Sequence, residues 1–239
     1  MRQTSSSQGR NLIFFWQSTT FYVTGDFEGE ATFGPDDPSE TTLIAGGFAD
    51  IFIARFNPDG TLAWAKSALG SDNADHSYEV AASSDGSNWI SGEFDGFMIF
   101  GQGEPGQRTL ISSGDQDVFV AKHNGDGSFA WASRGGGTGN DEARSTERSP
   151  NGSILVAGNF MGSAVFGEGE PGQITLTSRG GDEEIFLASY NEDGTLAWAT
   201  MVGVGKFGSD STIFGSGQPF ETSLTSVGGH DIFVARYWW

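Results

Sequence analysis

The stretches Gly101-Gln102-Gly103-Glu104-Pro105-Gly106 and Gly167-Glu168-Gly169-Glu170-Pro171-Gly172 both spell G-x-G-x-x-G. In a dinucleotide-binding fold that string opens a helix whose N-terminus meets the pyrophosphate. Here an acidic loop with a proline leads into another strand-like segment, so both are read as turns. The Asn57-Pro58-Asp59-Gly60, Asn124-Gly125-Asp126-Gly127 and Asn191-Glu192-Asp193-Gly194 segments look like pieces of calcium loops. They lack the further oxygen ligands and closing Glu of an EF-type site. Asx side chains bonding their own backbone, with Gly accepting positive φ, account for them. Better calcium candidates are Asp72 and Asp75, and the equivalent Asp141 with Glu142, where carboxylates lie close in a loop. His76, His123 and His230 share no metal-ligand spacing, and they are expected at surfaces or turns. No nucleophile elbow or kinase signature is present, and no carboxylate pair stands out by position. Asn151-Gly152-Ser153 fits a glycosylation acceptor, but the same residues make a hairpin turn.

Whatever chemistry the chain supports depends on the elements that hold these groups. The 239 residues carry 31 acidic and 12 basic side chains, a formal charge of -19. That sign repels phosphate backbones and anionic headgroups, which excludes a nucleic-acid role. With 37 Gly but also 20 Phe and 7 Trp, the composition is that of a turn-rich globular protein rather than a disordered one. The absence of cysteine removes disulfides and thiolate chemistry. No apolar run approaches the ~20 residues that span a bilayer.

Self-comparison decides the architecture. IFIARFNPDGTLAWAK at 51–66 returns as VFVAKHNGDGSFAWAS at 118–133 and as IFLASYNEDGTLAWAT at 185–200, a step of 67 residues each time. Trp64, Trp131 and Trp198 hold one register, and Gly25, Gly92 and Gly158 mark a second. A fourth copy begins as DIFVARY at 231–237, about 20 residues early. The loss falls between Trp198 and Gly205, so the third blade is expected to be truncated. Within a copy the pattern is all strand: residues 117–122 are apolar on both faces, and Asx/Gly turns join the rest into hairpins. After the fourth strand each copy inserts a short hairpin, expected as an exposed decoration.

Sheets that are apolar on both faces must bury both against copies of themselves. Radial stacking achieves this, whereas a linear stack needs polar caps that neither terminus supplies. The expectation is an all-β β-propeller of four-stranded antiparallel blades in one domain over 1–239, with units near 1–49, 50–116, 117–183, 184–230 and 231–239. About four blades follow if both termini compose one; otherwise the chain is a fragment, or half of a ring completed by a second copy. The repeated Trp residues are expected as core plates between blades. Trp16, Trp238 and Trp239 lie outside the repeat and are candidates for a closing seam or a partner contact, Trp238 and Trp239 above all.

GDQDVFVAKHNGDGSFAWA, then SPNGSILVAGNF, then AVFG and ITLTSRGG, resemble the SBBP-type β-propeller repeat. The resemblance covers nearly the whole chain from about Leu12. It implies an extracytoplasmic multi-bladed propeller (secreted, periplasmic or cell surface) and no reaction. The functional expectation is a non-catalytic binding or scaffolding module for a protein or a cell-surface polymer, without a membrane span. No cofactor is expected beyond the calcium candidates, and a homo-oligomer or membership of a larger complex is open. Two rivals are a carbohydrate-active lyase or hydrolase at the mouth of the central channel, and an accessory subunit docked through the aromatic C-terminus.

Overall fold

The computed structural model describes residues 20–71, 73–178 and 183–202 in full, and the backbone alone of 12–17, 203–204, 211–214 and 222–225. Its strands are β1 (Leu12–Gln17), β2 (Thr20–Phe27), β3 (Glu30–Phe33), β4 (Thr41–Ile44), β5 (Asp50–Phe56), β6 (Leu62–Gly70), β7 (His76–Ala82), β8 (Asn88–Phe94), β9 (Phe97–Phe100) and β10 (Arg108–Ile111). They continue as β11 (Asp117–His123), β12 (Phe129–Gly137), β13 (Glu142–Arg148), β14 (Ile154–Met161), β15 (Ser163–Phe166), β16 (Ile174–Thr177), β17 (Glu183–Tyr190), β18 (Leu196–Val204), β19 (Ser211–Phe214) and β20 (Thr222–Thr225). Among the described residues there is no helix, so none long and apolar enough to cross a membrane.

Three antiparallel sheets of six strands form, ordered β1-β2-β5-β6-β9-β10, β7-β8-β11-β12-β15-β16 and β13-β14-β17-β18-β19-β20. The inserted hairpin is therefore not a free decoration. The ends of β6 and β12 have an unpaired edge, and the hairpin later in the same repeat fills it: Leu69 and Gly70 pair with Ile99 and Met98, and Gly135–Gly137 pair with Phe166, Val165 and Ala164. Only β3 and β4 form a two-stranded sheet among the described strands. The shortfall expected inside the third blade falls after it instead. The third sheet has six strands like the others, and β18 ends at Val204 while β19 opens at Ser211. That interval is too short for a hairpin like β7–β8 or β13–β14, which follow β6 and β12.

The sheets stack face to face, β7 against β1 and β2, and β13 against β7 and β8. Ile51, Ile53, Phe94, Phe100 and Phe119 fill the first interface; Val118, Val120, Phe160, Phe166 and Phe186 fill the second. β11 is buried along its whole length, as its two apolar faces require. Hydroxyls tie the inner strands across the interfaces, Thr24 donating to Ser77 Oγ at 2.7 Å and Thr146 to Ser91.

The acidic loops end their own repeat and begin the next. Asp37 Oδ2, Glu104 Oε2 and Glu170 Oε2 accept the backbone N–H of the first residue of β6, β12 and β18, Leu62, Phe129 and Leu196, all at 2.7 Å. An uncapped N–H at a part-buried strand start costs roughly 1–3 kcal/mol. Glu170→Ala is expected to lower the unfolding free energy read by urea titration by that amount, with a lower midpoint, and Glu28→Ala, on an exposed turn, to leave the midpoint unchanged. Equal midpoints would remove this role for the loop acid.

Candidate functional site

The chain direction gives each sheet two distinct ends. At the upper end β2, β8 and β14 finish and β5, β7, β11 and β13 begin; at the lower end lie the Asx/Gly turns and the acidic hairpin tips.

At the upper end the inner strands bring together a polar group that sequence spacing concealed. His76 Nδ1 lies 3.2 Å from Asp26 Oδ1 on β2 of the neighbouring sheet. Tyr78 donates to Glu93 Oε1 at 2.7 Å, and Gln116 Nε2 donates to the same oxygen at 3.1 Å. The Tyr78 ring is sandwiched, with His76 stacked at 6.0 Å and the Arg144 guanidinium 4.5 Å from its centroid. Arg144 also pairs with Glu142. The hydrogen bond to Asp26 raises the His76 pKa against the opposing effect of burial, and burial raises that of Glu93. Burial and the Glu93 bond push the Tyr78 phenol up, so it stays a neutral donor. Chemically the set can hold a proton on His76 and offer hydrogen bonds to a polar ligand.

The most exposed large apolar side chains of the described residues are Ile44 (63%), Phe48 (62%), Phe97 (42%), Ile111 (68%) and Met161 (36%). All five sit at the upper end, on the loops and strand ends flanking β5, β9, β10 and β14. An apolar group at the surface is unremarkable singly, but five at one end of a molecule is a contact surface in the making.

The calcium candidates separate. Asp75 is fully buried beside Asp50, the first residue of β5; a Cβ on Gly70 would lie 1.8 Å from Asp75 Oδ2 and 3.2 Å from Asp50 Oδ1. Asp75 Oδ1 accepts from the Asp95 N–H at 3.2 Å. Asp50 accepts from Gly70 N–H at 2.9 Å and Gly46 N–H at 2.6 Å. Asp141 repeats the arrangement beside Asp117, accepting from Gly137 at 2.7 Å and Met161 at 3.1 Å. Burial pushes Asp75 up to about 8, Asp141 to about 7 and Asp117 to about 6. Glu142, next in sequence, joins Arg144 instead. No cluster of three or more histidines and carboxylates suited to a metal ion occurs among the described residues. Asp72, His230, Trp238 and Trp239 lie outside the described residues, and of Trp16 only the backbone is described.

His123 is not at a surface or turn. It closes β11 fully buried between Trp64 and Phe129, and desolvation pulls its pKa down to about 4. Trp64 and Trp131 do lie between sheets, but half-buried at the outer margin. Their indole N–H groups donate to Gly125 O at 3.2 Å and Glu192 O at 2.9 Å, and the Gly127 and Gly194 turns of the next sheet cover the rings. The Asx turns behave as expected: Asp59, Asp126 and Asp193 each accept from the backbone N–H and hydroxyl two residues on.

Residues 41–62, from the start of β4 to the first residue of β6, match a family model described as a domain of unknown function (DUF5122) beta-propeller. No curated protein matches the chain. The stacked antiparallel sheets make the described residues all-β, and this match supports a β-propeller repeat protein.

Proposed function

We propose that the chain is a non-catalytic β-propeller module that binds a partner protein through its upper end. The observation that carries this reading is the gathering of Ile44, Phe48, Phe97, Ile111 and Met161 at one end of the sheets. Loops carry contacts while packed sheets hold them rigid. With a net charge of -19, the complementary partner surface is basic and apolar, and the acidic field speeds encounter. The 67-residue unit, one domain over 1–239 and a ring of about four blades belong to this reading, supported by the recurring sequence. The SBBP-type likeness supports an extracytoplasmic setting. The test is a photo-cross-linking amino acid placed at Phe48, and separately at Ser39 on the opposite end, in protein returned to its native cell envelope. Protein adducts are expected from position 48 alone. Equal adducts from both positions, or none from 48, would overturn the reading.

A second reading, a carbohydrate-active lyase or hydrolase, has one observation in its favour: Asp26, His76, Tyr78, Glu93 and Arg144 converge at the inner strands. Chain shortening of a polysaccharide by the intact protein, abolished in His76→Ala, would replace the first reading with this one.

A further inference from the structure

The two interfaces between sheets are built from the same repeat, and one of them is open where the other is closed. In the first, Lys66 on β6 reaches Glu104 on the next hairpin loop at 2.9 Å and spans the gap. In the second, the equivalents are Ser133 and Glu170, and Ser133 is too short to reach. A cleft of about 390 Å³ opens there, between β10, β12, the β15–β16 loop and the Asp193 turn. It has a size that small-molecule sites use.

The lining of this cleft departs from the repeat where the scaffold does not require it. Arg108 stands where the first copy has Thr41, Arg134 where it has Ser67, and Glu168 where it has Gln102. Arg134 is committed: it pairs with Asp117 at 2.5 Å, with Ser113 and with Glu168. The Arg108 guanidinium has no partner among the described residues. Glu170 and Asp193 each use one oxygen on the backbone, of Leu196 and Thr195, and keep the other. Half-buried Trp131 contributes to the lining, its other contacts being the Gly194 turn and the Tyr190 ring stacked at 6.5 Å.

We propose that this cleft, bounded by β10 at the edge of the first sheet, β12 and the β15–β16 loop of the second and the Asp193 turn of the third, is a binding site for a neutral saccharide. An indole beside planar acceptors and a free guanidinium suits a ring with an apolar face and a rim of hydroxyls. Hydroxyls donate to the carboxylates and accept from Arg108, so both signs of charge in the lining are used. A strongly anionic ligand would meet Glu168, Glu170 and Asp193, and a cationic one would meet Arg108. The site lies at the outer side of the sheets and reaches the upper-end surface only at Ile111, the last residue of β10.

The test is titration calorimetry of the full chain with hexasaccharides of β-1,4-glucose, α-1,4-glucose, β-1,4-xylose, β-1,4-N-acetylglucosamine and α-1,6-mannose, with oligogalacturonate and a basic peptide as charged controls. At least one neutral oligomer is expected to bind saturably. The double variant Arg108→Thr/Glu168→Gln, which copies the lining of the first interface and so is compatible with the fold, is expected to weaken it at least tenfold. Phe48→Ser is expected to leave it unchanged. No binding by any neutral oligomer, equal binding by the double variant, or binding of the charged controls alone would each overturn the proposal.

Discussion

Gly92→Ala is expected to cost at least about 4 kcal/mol, at the far end of what single substitutions do, and to lower Tm by roughly 8–16 °C for a domain of this size. The cause is close approach rather than backbone conformation. A Cβ at Gly92 would lie 1.8 Å from the His76 carbonyl oxygen and 2.9 Å from Cε1 of Phe119. Neither can give way. The carbonyl belongs to β7, where the register with β8 shifts between Ser77 and Glu79, and the Phe119 ring is wholly buried between sheets. Gly158 repeats the geometry, 1.9 Å from the Glu142 carbonyl and 2.8 Å from Phe186 Cε1, with a register shift between Ala143 and Ser145. Gly103→Ala is the control, because its φ of +78° strains an alanine while nothing lies within 4 Å. It is expected to cost about 1 kcal/mol, the ordinary penalty of a left-handed position. Thermal melts of the two variants decide the matter: equal losses at positions 92 and 103 would remove close approach as the reason for the recurring glycine.

That glycine shows how far the sequence could be read. Its recurrence set the register of the second strand, yet the reason lies across the sheet and across the interface, in atoms of β7 and β11 that no local pattern names. The strands themselves were legible because alternation and Asx/Gly turns are local signals. The pairing of the inserted hairpin was not, since the edge it completes, at Leu69 and Gly70, belongs to the preceding sheet and looks no different in sequence from any strand end. The upper-end cluster was hidden for a related reason. His76 and Glu93 face each other across the β7–β8 hairpin, but Asp26 comes from β2 and Arg144 from β13, and these meet them only because successive inner strands stack. Ile44 and Ile111 end β4 and β10, strands at a sheet edge, and alternation along those strands turns them outward. Asp75 and Asp141 were noticed as carboxylates in loops, but Asp50 and Asp117, which complete the pairs, open strands that otherwise read as apolar.

Those acid pairs give the stability of the protein an unusual slope with pH. Asp75 holds its proton up to about 8 because it is buried, with the Asp50 carboxylate adding to the effect. In the unfolded chain the same group has released its proton by about pH 4. Between these values the folded state binds more protons, so stability falls as pH rises. Asp141 and Asp117 act in the same direction up to about 7 and about 6, and raised His76 adds to it. Buried His123, held down to about 4, acts oppositely, but chiefly below the ordinary histidine range, so the interval from pH 6.5 to 8 reports the acids together with His76. Across it the unfolding free energy is expected to drop by about 2 kcal/mol through Asp75 alone. Asp75→Asn is expected to flatten this slope and to raise stability at pH 8. The amide oxygen can keep the Asp95 N–H, and the amide nitrogen replaces an oxygen that has no donor and lies beside Asp50. Asp141→Asn is expected to lose stability at every pH, since both of its oxygens accept backbone N–H groups and an amide can serve only one. The opposite signs are the test, read by urea unfolding at pH 6.5 and 8 with and without millimolar calcium. A calcium-dependent gain at pH 8 that Asp75→Asn abolishes would put a cation, rather than a proton, between the two carboxylates.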